Sequence, residues 1–161
     1  MKKKYSLLVL PALAIIALDQ ISKSIILRTI HTHETIPIIK GFFNLVHVRN
    51  RGMAFGLMNQ TGNDLSYYLL ITATMGAILI LIYWFRRLKN DELKIIFGLS
   101  LILGGAIGNL FDRLRFGEVI DFIDVHIAQY HWPAFNVADS AITAGTIWIA
   151  LNLIFQSSSS G

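Results

Sequence analysis

The sequence predicts a mainly α-helical membrane protein with four transmembrane helices and a small extracytoplasmic β-sheet on the outer membrane surface. Of its 161 residues, 54% are hydrophobic and only 15% are charged, against about a quarter charged in soluble domains. The apolar residues fall into four long runs, and basic residues cluster at the ends of those runs. A polar stretch rich in β-branched residues separates the first two runs. We therefore expect a single integral membrane domain over residues 1–161.

The first predicted span covers about residues 5–27 and carries polar residues in its second half. Asp19 and Lys23 are four residues apart, so they lie on one helical face and can pair. A structural ion pair and a direct role at a substrate site both remain open for them. The basic start at Lys2–Lys4 resembles a secretory signal, but the apolar run continues past the small-residue match, which favours an uncleaved span.

Residues 28–64 are too long and too polar for a simple turn, and the β region is expected over about 34–58. Gly41 separates two runs of β-branched and aromatic residues, a pattern typical of short strands. Gly52 follows Arg49, Asn50 and Arg51 and can adopt positive φ in a tight turn. We expect strands at 35–39, 42–48 and 53–58, and a short interfacial helix at 57–65.

The three later spans are predicted at about 65–85, 93–111 and 136–155. Ser100, Gly104 and Gly108 repeat every four residues, a pattern that lets another helix approach closely. The segment 112–135 is expected to be an extracytoplasmic loop. The low-complexity tail over 157–161 is compatible with either native or appended sequence.

The basic residues predict the orientation of the chain. Lys2–Lys4 and the basic residues of 86–94 lie on one side after an even number of crossings, and the positive-inside rule assigns that side to the cytoplasm. Both termini are then cytoplasmic. The unusual polar residues of the spans and loops converge on the outer leaflet: Asp19, Lys23, Asn50, Asn109, Asp112, Arg113, Asp121, Asn136 and Asp139.

Composition also excludes several classes of function. The chain has no cysteine, which excludes disulfides and thiolate chemistry. Its net charge of +4 is explained by the orientation signal, so we expect no nucleic-acid partner. The spacings of His31 with His33 and of His126 with His131 match no helical metal motif. These histidines are interpreted as surface or interfacial residues, and neither a metal nor a cofactor is expected.

Asp121 and Asp139 are the candidate catalytic pair. Asn136 occupies an N-cap position with Asp139 in the first turn of the last span, and for Asp139 alone capping is the favoured interpretation. Two carboxylates held close together share a proton, and such a pair can activate water against a peptide bond. Asp112 and Asp124 remain competitors for the second carboxylate of the pair. Asp112 is next to Arg113 and is expected to form a local ion pair with it, and Asp124 is compatible with a solvated loop position.

Five stretches, in order along nearly the whole chain, resemble the bacterial lipoprotein signal peptidases (signal peptidase II), a family of four-span membrane aspartyl proteases. Met53 departs from the family's usual small residue, which leaves open how a substrate or inhibitor would fit beside it. The stretches are Asp19-Gln20-Ile21-Ser22-Lys23, Asn50-Arg51-Gly52-Met53-Ala54-Phe55-Gly56, Gly104-Gly105-Ala106-Ile107-Gly108-Asn109-Leu110-Phe111-Asp112-Arg113, Val119-Ile120-Asp121-Phe122 and Phe135-Asn136-Val137-Ala138-Asp139.

The resemblance implies an aspartic endopeptidase with Asp121 and Asp139 as the catalytic dyad, in preference to Asp112 and Asp124. The implied reaction removes the signal peptide from a diacylglyceryl-modified prolipoprotein, just before the lipidated cysteine. Membrane lipids are the other expected partners, and a monomer is expected. The residues implied to shape the site or bind substrate are Asp19, Lys23, Asn50, Gly52, Asn109, Arg113 and Asn136. The alternatives are a small proton-coupled carrier and a purely structural membrane subunit.

Overall fold

The computed structural model describes residues 2–52 and 64–158. Within them lie four helices that are long and apolar enough to cross a membrane, which confirms the four predicted spans. The third helix extends about one turn beyond the predicted end at residue 111. The helices are α1 (Lys2–Thr29), α2 (Asp64–Arg87), α3 (Leu93–Phe116) and α4 (Val137–Ser158).

Helix α3 is the centre of the bundle, since it packs against the three other helices. Its small residues face two neighbours rather than one. A Cβ at Gly104 would lie 2.8 Å from the Ala12 carbonyl oxygen of α1, whereas a Cβ at Gly105 would collide with the Ala138 carbonyl of α4. The predicted seam of small residues therefore lets α1 and α4 approach α3 closely on adjacent faces.

Helix α2 packs least against the rest of the bundle. Only 6% of its most apolar stretch of 18 residues is buried. A helix that is apolar on its exposed sides is stable only against hydrocarbon. Its exposed side is made of large apolar side chains: Leu65, Tyr68, Leu69, Met75, Leu79, Ile80 and Tyr83.

The two basic segments meet at one end of the bundle. The Lys4 ammonium donates to the Leu88 carbonyl at 2.6 Å and lies 4.7 Å from the centre of the Phe85 ring. The start of α1 and the connection after α2 therefore share an end, as the even number of crossings requires. Asp19 and Ala138 meet at the other end, in the second half of α1 and the first turn of α4.

A four-stranded antiparallel sheet covers the end of the bundle opposite the basic segments. Its strand order follows the chain, and β2 and β3 pair over most of their lengths, with Val48 opposite Asp121 and Asn44 opposite Asp124. The strands are β1 (Thr35–Ile39), β2 (Phe43–Asn50), β3 (Val119–Ile127) and β4 (Tyr130–His131).

The expectation that 112–135 is a loop is wrong. Its first residues complete α3, which ends at a left-handed Gly117, and most of the remainder forms β3 and β4. The predicted turn at Gly52 has the expected positive φ of 81°. The strand expected at 53–58 and the interfacial helix expected at 57–65 lie largely outside the described residues.

Strand β3 is anchored to α1 by side chains on one of its faces. Ile120 and Phe122 form a buried cluster with Ile26 and Ile30 near the end of α1. Because side chains alternate along a strand, Asp121 points away from this cluster, although it is only 2% exposed. Because Ile120 and Phe122 are held in this cluster, the Asp121 side chain between them is directed to the other face of the strand.

Replacing Gly105 by alanine tests the close contact between α3 and α4. We expect Gly105→Ala to lower the thermal midpoint of the detergent-purified protein, because the new methyl group displaces the Ala138 backbone; overpacking of this kind costs about 1–3 kcal/mol. Gly76→Ala on α2 is the matched control, since a Cβ there meets nothing within 4 Å. Equal midpoints for the two variants would contradict the close packing.

Candidate functional site

The first turn of α4 carries Asp139 in a reciprocal capping arrangement with Asn136. The Asp139 backbone N–H donates to Asn136 Oδ1 at 2.9 Å, and the Asn136 backbone N–H donates to Asp139 Oδ2 at 3.2 Å. This is a capping box, with the N-cap and the third helical residue satisfying each other. The capping role predicted for Asn136 is confirmed, and it leaves Asp139 half-buried at the positive end of a helix.

Asp121 on β3 accepts hydrogen bonds from two side-chain amides. Asn50 Nδ2 donates to Oδ2 at 2.9 Å, and Asn136 Nδ2 donates to Oδ1 at 2.7 Å. Burial raises the pKa of Asp121 to about 6. The neighbouring Asp139 carboxylate adds to that rise in pKa, while the two amide donors oppose it.

Asn136 therefore joins the two carboxylates, since its side-chain amide donates to Asp121 and its backbone N–H donates to Asp139. This contact requires the chain after α3 to fold back over the start of α4, which the strand pairing of β3 achieves. Two carboxyl groups in such an arrangement can share a proton, with one as acid and the other as base.

A buried ion cluster lies directly behind the pair. The Lys23 ammonium has three acceptors: Asp19 Oδ2 at 2.8 Å, Asp112 Oδ2 at 2.8 Å and Asn109 Oδ1 at 3.0 Å. The predicted pairing of Asp19 with Lys23 is present in the structure. The local ion pair expected between Asp112 and Arg113 is wrong, because Asp112 turns instead to Lys23 and to the backbone N–H of Ile120 at 3.2 Å.

Asp19 also caps the last helix, because its Oδ1 accepts the backbone N–H of Ala138 at 3.0 Å. Beside it, Gln20 was not among the predicted site residues, although it donates to Asp112 at 2.9 Å and to the Gly108 carbonyl at 3.3 Å. A polar amide inside an apolar span was a usable signal for Gln20. Its partners in α3 could not be read from the sequence.

Asn109 transmits the orientation of the ion cluster to the pair. The Asn109 Oδ1 accepts hydrogen bonds from Lys23 and, at 3.2 Å, from Asn136. Because the oxygen is occupied by these donors, the Asn109 Nδ2 faces Asp139 and donates to its Oδ1 at 2.7 Å. Arg113, one turn later on α3, donates to the Asn109 carbonyl at 3.3 Å. It also interacts electrostatically with Asp139, Asp112 and Asp121, without forming a salt bridge to Asp112 in the described part of the chain.

The end of β2 presents Asn50 through a local turn. Asn50 Oδ1 accepts the backbone N–H of Gly52 at 2.8 Å, so its Nδ2 is directed at Asp121. A side chain at Gly52 would be strained by its φ of 81° and would collide with Leu70. Arg49 and Arg51 both pair with Glu118 and tie this turn to β3.

Asp124 is not the solvated loop residue that the sequence allowed. It is 7% exposed and contacts Asn44 and His131 on neighbouring strands. Of the histidines interpreted as surface or interfacial residues, His31, His33 and His131 are exposed, whereas His126 is buried, with 9% of its surface exposed. Asp124, His126 and His131 form a group that could hold a metal ion. Met53 lies outside the described residues.

Comparison with known proteins agrees with this geometry. The sequence model of the Signal peptidase (SPase) II family matches residues 11–155. A lipoprotein signal peptidase of Syntrophotalea carbinolica is 46% identical over 142 residues, which cover 88% of this chain and 87% of that protein. One of Geobacter sulfurreducens is 42% identical over 154 residues, covering 96% of this chain and 95% of that protein.

Two solved structures, both described as bacterial membrane enzymes determined by the in meso method, share the fold. One superposes with a TM-score of 0.83 at 33% identity, covering 95% of this chain and 90% of the other. The second gives a TM-score of 0.80 at 34% identity, covering 90% of each chain. These matches set aside the carrier and structural-subunit alternatives, and the chain belongs to the signal peptidase II family of membrane aspartyl peptidases.

Proposed function

We propose that this peptidase removes signal peptides from diacylglyceryl-modified prolipoproteins, just before the lipidated cysteine, with Asp121 and Asp139 as its catalytic dyad. The observation that carries the dyad is the shared contact of both carboxylates with Asn136. The substrate is inferred from relatives that are named lipoprotein signal peptidases. Asp112 is a poor candidate because it forms a salt bridge with the buried Lys23, and Asp124 because its partners are Asn44 and His131 rather than Asn136.

Within the dyad, Asp139 is assigned as the base and Asp121 as the acid. Asp139 accepts hydrogen bonds from Asn109 Nδ2 and the Asn136 backbone N–H at the start of a helix, an environment that stabilises negative charge. Burial raises the pKa of Asp121 to about 6, so Asp121 is the member that retains the shared proton. The two groups thus divide the acid and base roles by environment.

The reaction then follows general acid–base chemistry. A water molecule between the carboxyl groups loses a proton to Asp139 and adds to the scissile carbonyl carbon, while Asp121 gives its proton to the carbonyl oxygen. Collapse of the resulting diol breaks the C–N bond and returns a proton to Asp121. Asp139 gives its proton to the leaving amine, which is the new N-terminus of the lipidated cysteine.

The surrounding polar residues are proposed to shape the site rather than to transfer protons. Asn50, Asn109 and Asn136 set the directions of the dyad oxygens, and their amides are suited to bonding a substrate backbone. Asp19 and Lys23 hold α1, α3 and α4 together behind the dyad, Gly52 permits the turn that presents Asn50, and Arg113 adds positive charge near Asp139.

The protein is a multi-pass membrane protein, and we place its site at the extracytoplasmic face of the inner membrane with both termini in the cytoplasm. The support is the cluster of basic residues at the other end of the bundle, near Lys4 and Leu88. A lipid-anchored substrate moves within the membrane plane, so a site at the membrane edge meets it without extracting its acyl chains. We infer that the protein works as a monomer, surrounded by membrane lipids.

Removing either carboxylate charge tests the dyad. Asp121→Asn and Asp139→Asn are each expected to lower kcat for a diacylglyceryl-modified precursor peptide by about 100-fold to 10,000-fold, the usual contribution of acid–base groups. Asparagine keeps the size of the side chain and an acceptor oxygen, so the capping box survives. Asp91→Asn, an exposed carboxylate at the other end of the bundle, is the control. Wild-type cleavage by both folded dyad variants would refute the assignment.

The raised pKa of Asp121 predicts a pH dependence. In the free enzyme Asp121 loses its proton as pH rises through about 6, so kcat/KM should fall about tenfold per pH unit above that value. Because the folded protein holds this proton more tightly than the unfolded chain, stability should also decline between about pH 4 and 6. Asp121→Asn should lose this part of the stability profile. A flat kcat/KM between pH 5 and 8 would contradict the assignment of the acid.

The cysteine-free sequence allows a direct test of orientation. Lys40→Cys, at the turn after β1, should react with a membrane-impermeant maleimide on intact spheroplasts, and Asp91→Cys, before α3, should not. Both cysteines should react after detergent is added, which controls for accessibility. Labelling of Asp91→Cys alone in intact cells would reverse the proposed topology.

A further inference from the structure

A second group of polar side chains lies at the β3–β4 hairpin, apart from the dyad. The potential ligand atoms of Asp124, His126 and His131 all lie within 4.8 Å of one another. His126 and His131 are paired residues of the two strands, and their rings stack with centroids 4.5 Å apart and planes 10° apart. The strand register thus brings together two imidazoles that the sequence spacing did not mark as a metal motif.

The two imidazoles present the same ring nitrogen to one carboxylate. His131 Nδ1 lies 2.8 Å from Asp124 Oδ1, and His126 Nδ1 lies 3.9 Å from Asp124 Oδ2. Asn44 Nδ2 donates to Asp124 Oδ2 at 2.7 Å and lies 3.4 Å from His126 Nδ1. The carboxylate is therefore held in place from the neighbouring strand, as the ligands of metal sites commonly are.

We propose that Asp124, His126 and His131 bind a zinc ion. Two imidazole nitrogens and one carboxylate oxygen suit Zn²⁺, whereas Mg²⁺ and Ca²⁺ prefer oxygen ligands alone. Ligand atoms of a tetrahedral zinc site lie about 3.4 Å apart, and the three potential ligand atoms of this group lie within 4.8 Å of one another. Side-chain rotations that turn both Nδ1 atoms and one Asp124 oxygen toward a common point would complete the site, with water at the fourth position.

The site is independent of the dyad, although both lie on β3. Asp121 and Asp124 are separated by an odd number of positions, so they face opposite sides of the strand. Asp121 bonds Asn50 and Asn136, whereas Asp124 bonds residues of the hairpin and of β2. Zinc would therefore fix the short β4 strand against β3 and hold the exposed Tyr130 and Trp132 at the edge of the sheet.

Zinc binding to the full-length, tag-free protein tests the proposal. Chelator-treated protein in detergent is titrated with ZnCl₂ by isothermal titration calorimetry, and the metal content is measured after dialysis. We expect one Zn²⁺ per chain and a thermal midpoint that rises with zinc concentration. His131→Ala should weaken binding by about 100-fold or more, at or beyond the usual effect of an outer-shell change. His131 is half-exposed, so this variant is expected to fold.

The matched control removes two other histidines. His31→Ala with His33→Ala lies on the connection after α1, where both side chains are exposed, and should keep wild-type zinc binding. Co²⁺ provides a second measurement, since a tetrahedral site gives intense visible absorption that His126→Ala should abolish. Absence of stoichiometric zinc in the wild-type protein, retention of binding by His131→Ala, or its loss in the control variant would each overturn the proposal.

Discussion

The structure depends on the burial of one lysine between two carboxylates, at the end of the helix bundle that the sheet covers. Lys23 is 2% exposed, and its three donors are satisfied by Asp19, Asp112 and Asn109. Each buried ion carries a desolvation penalty of several kcal/mol, so such a cluster is tolerated only when all its members are paired. Asp19 and Asp112 meet this condition by also accepting backbone N–H groups of α4 and β3. One ion cluster therefore fixes α1, α3, α4 and the sheet relative to one another.

The hydrogen bonds between the ion cluster and the proposed dyad run through neutral amides. Because Lys23 occupies Asn109 Oδ1, the Asn109 amide nitrogen must face Asp139, and the same oxygen orients the side-chain amide of Asn136, which donates to Asp121. Within the described residues, the side-chain donors to the two carboxylates are these asparagines and Asn50. A lysine in direct contact would keep both carboxylates ionised. An intervening amide keeps the geometry fixed and leaves a shared proton available.

The sequence predicted what depends on local pattern and missed what depends on distant partners. Hydropathy located the four spans, and an N-cap pattern located Asn136, because both are properties of consecutive residues. The sequence predicts a loop where Val119–Ile127 forms a strand, since the pairing partner of that strand lies about 75 residues earlier in β2. Asp112 was misassigned for the same reason. Its neighbour Arg113 was visible in the sequence, whereas the salt bridge to Lys23 forms only when α1 packs against α3.

The two carboxylates of strand β3, Asp121 and Asp124, have different surroundings. Near Asp121 the strand is clamped between α1 and the start of α4 by Ile120 and Phe122, which removes water and raises the pKa of Asp121. Near Asp124 the strand has left the helices, and its neighbours are side chains of β2 and β4. Burial alone therefore does not separate the two residues, since both are almost inaccessible. What separates them is the contact of Asp121 with a second carboxylate through Asn136, and a proton-sharing pair requires that contact.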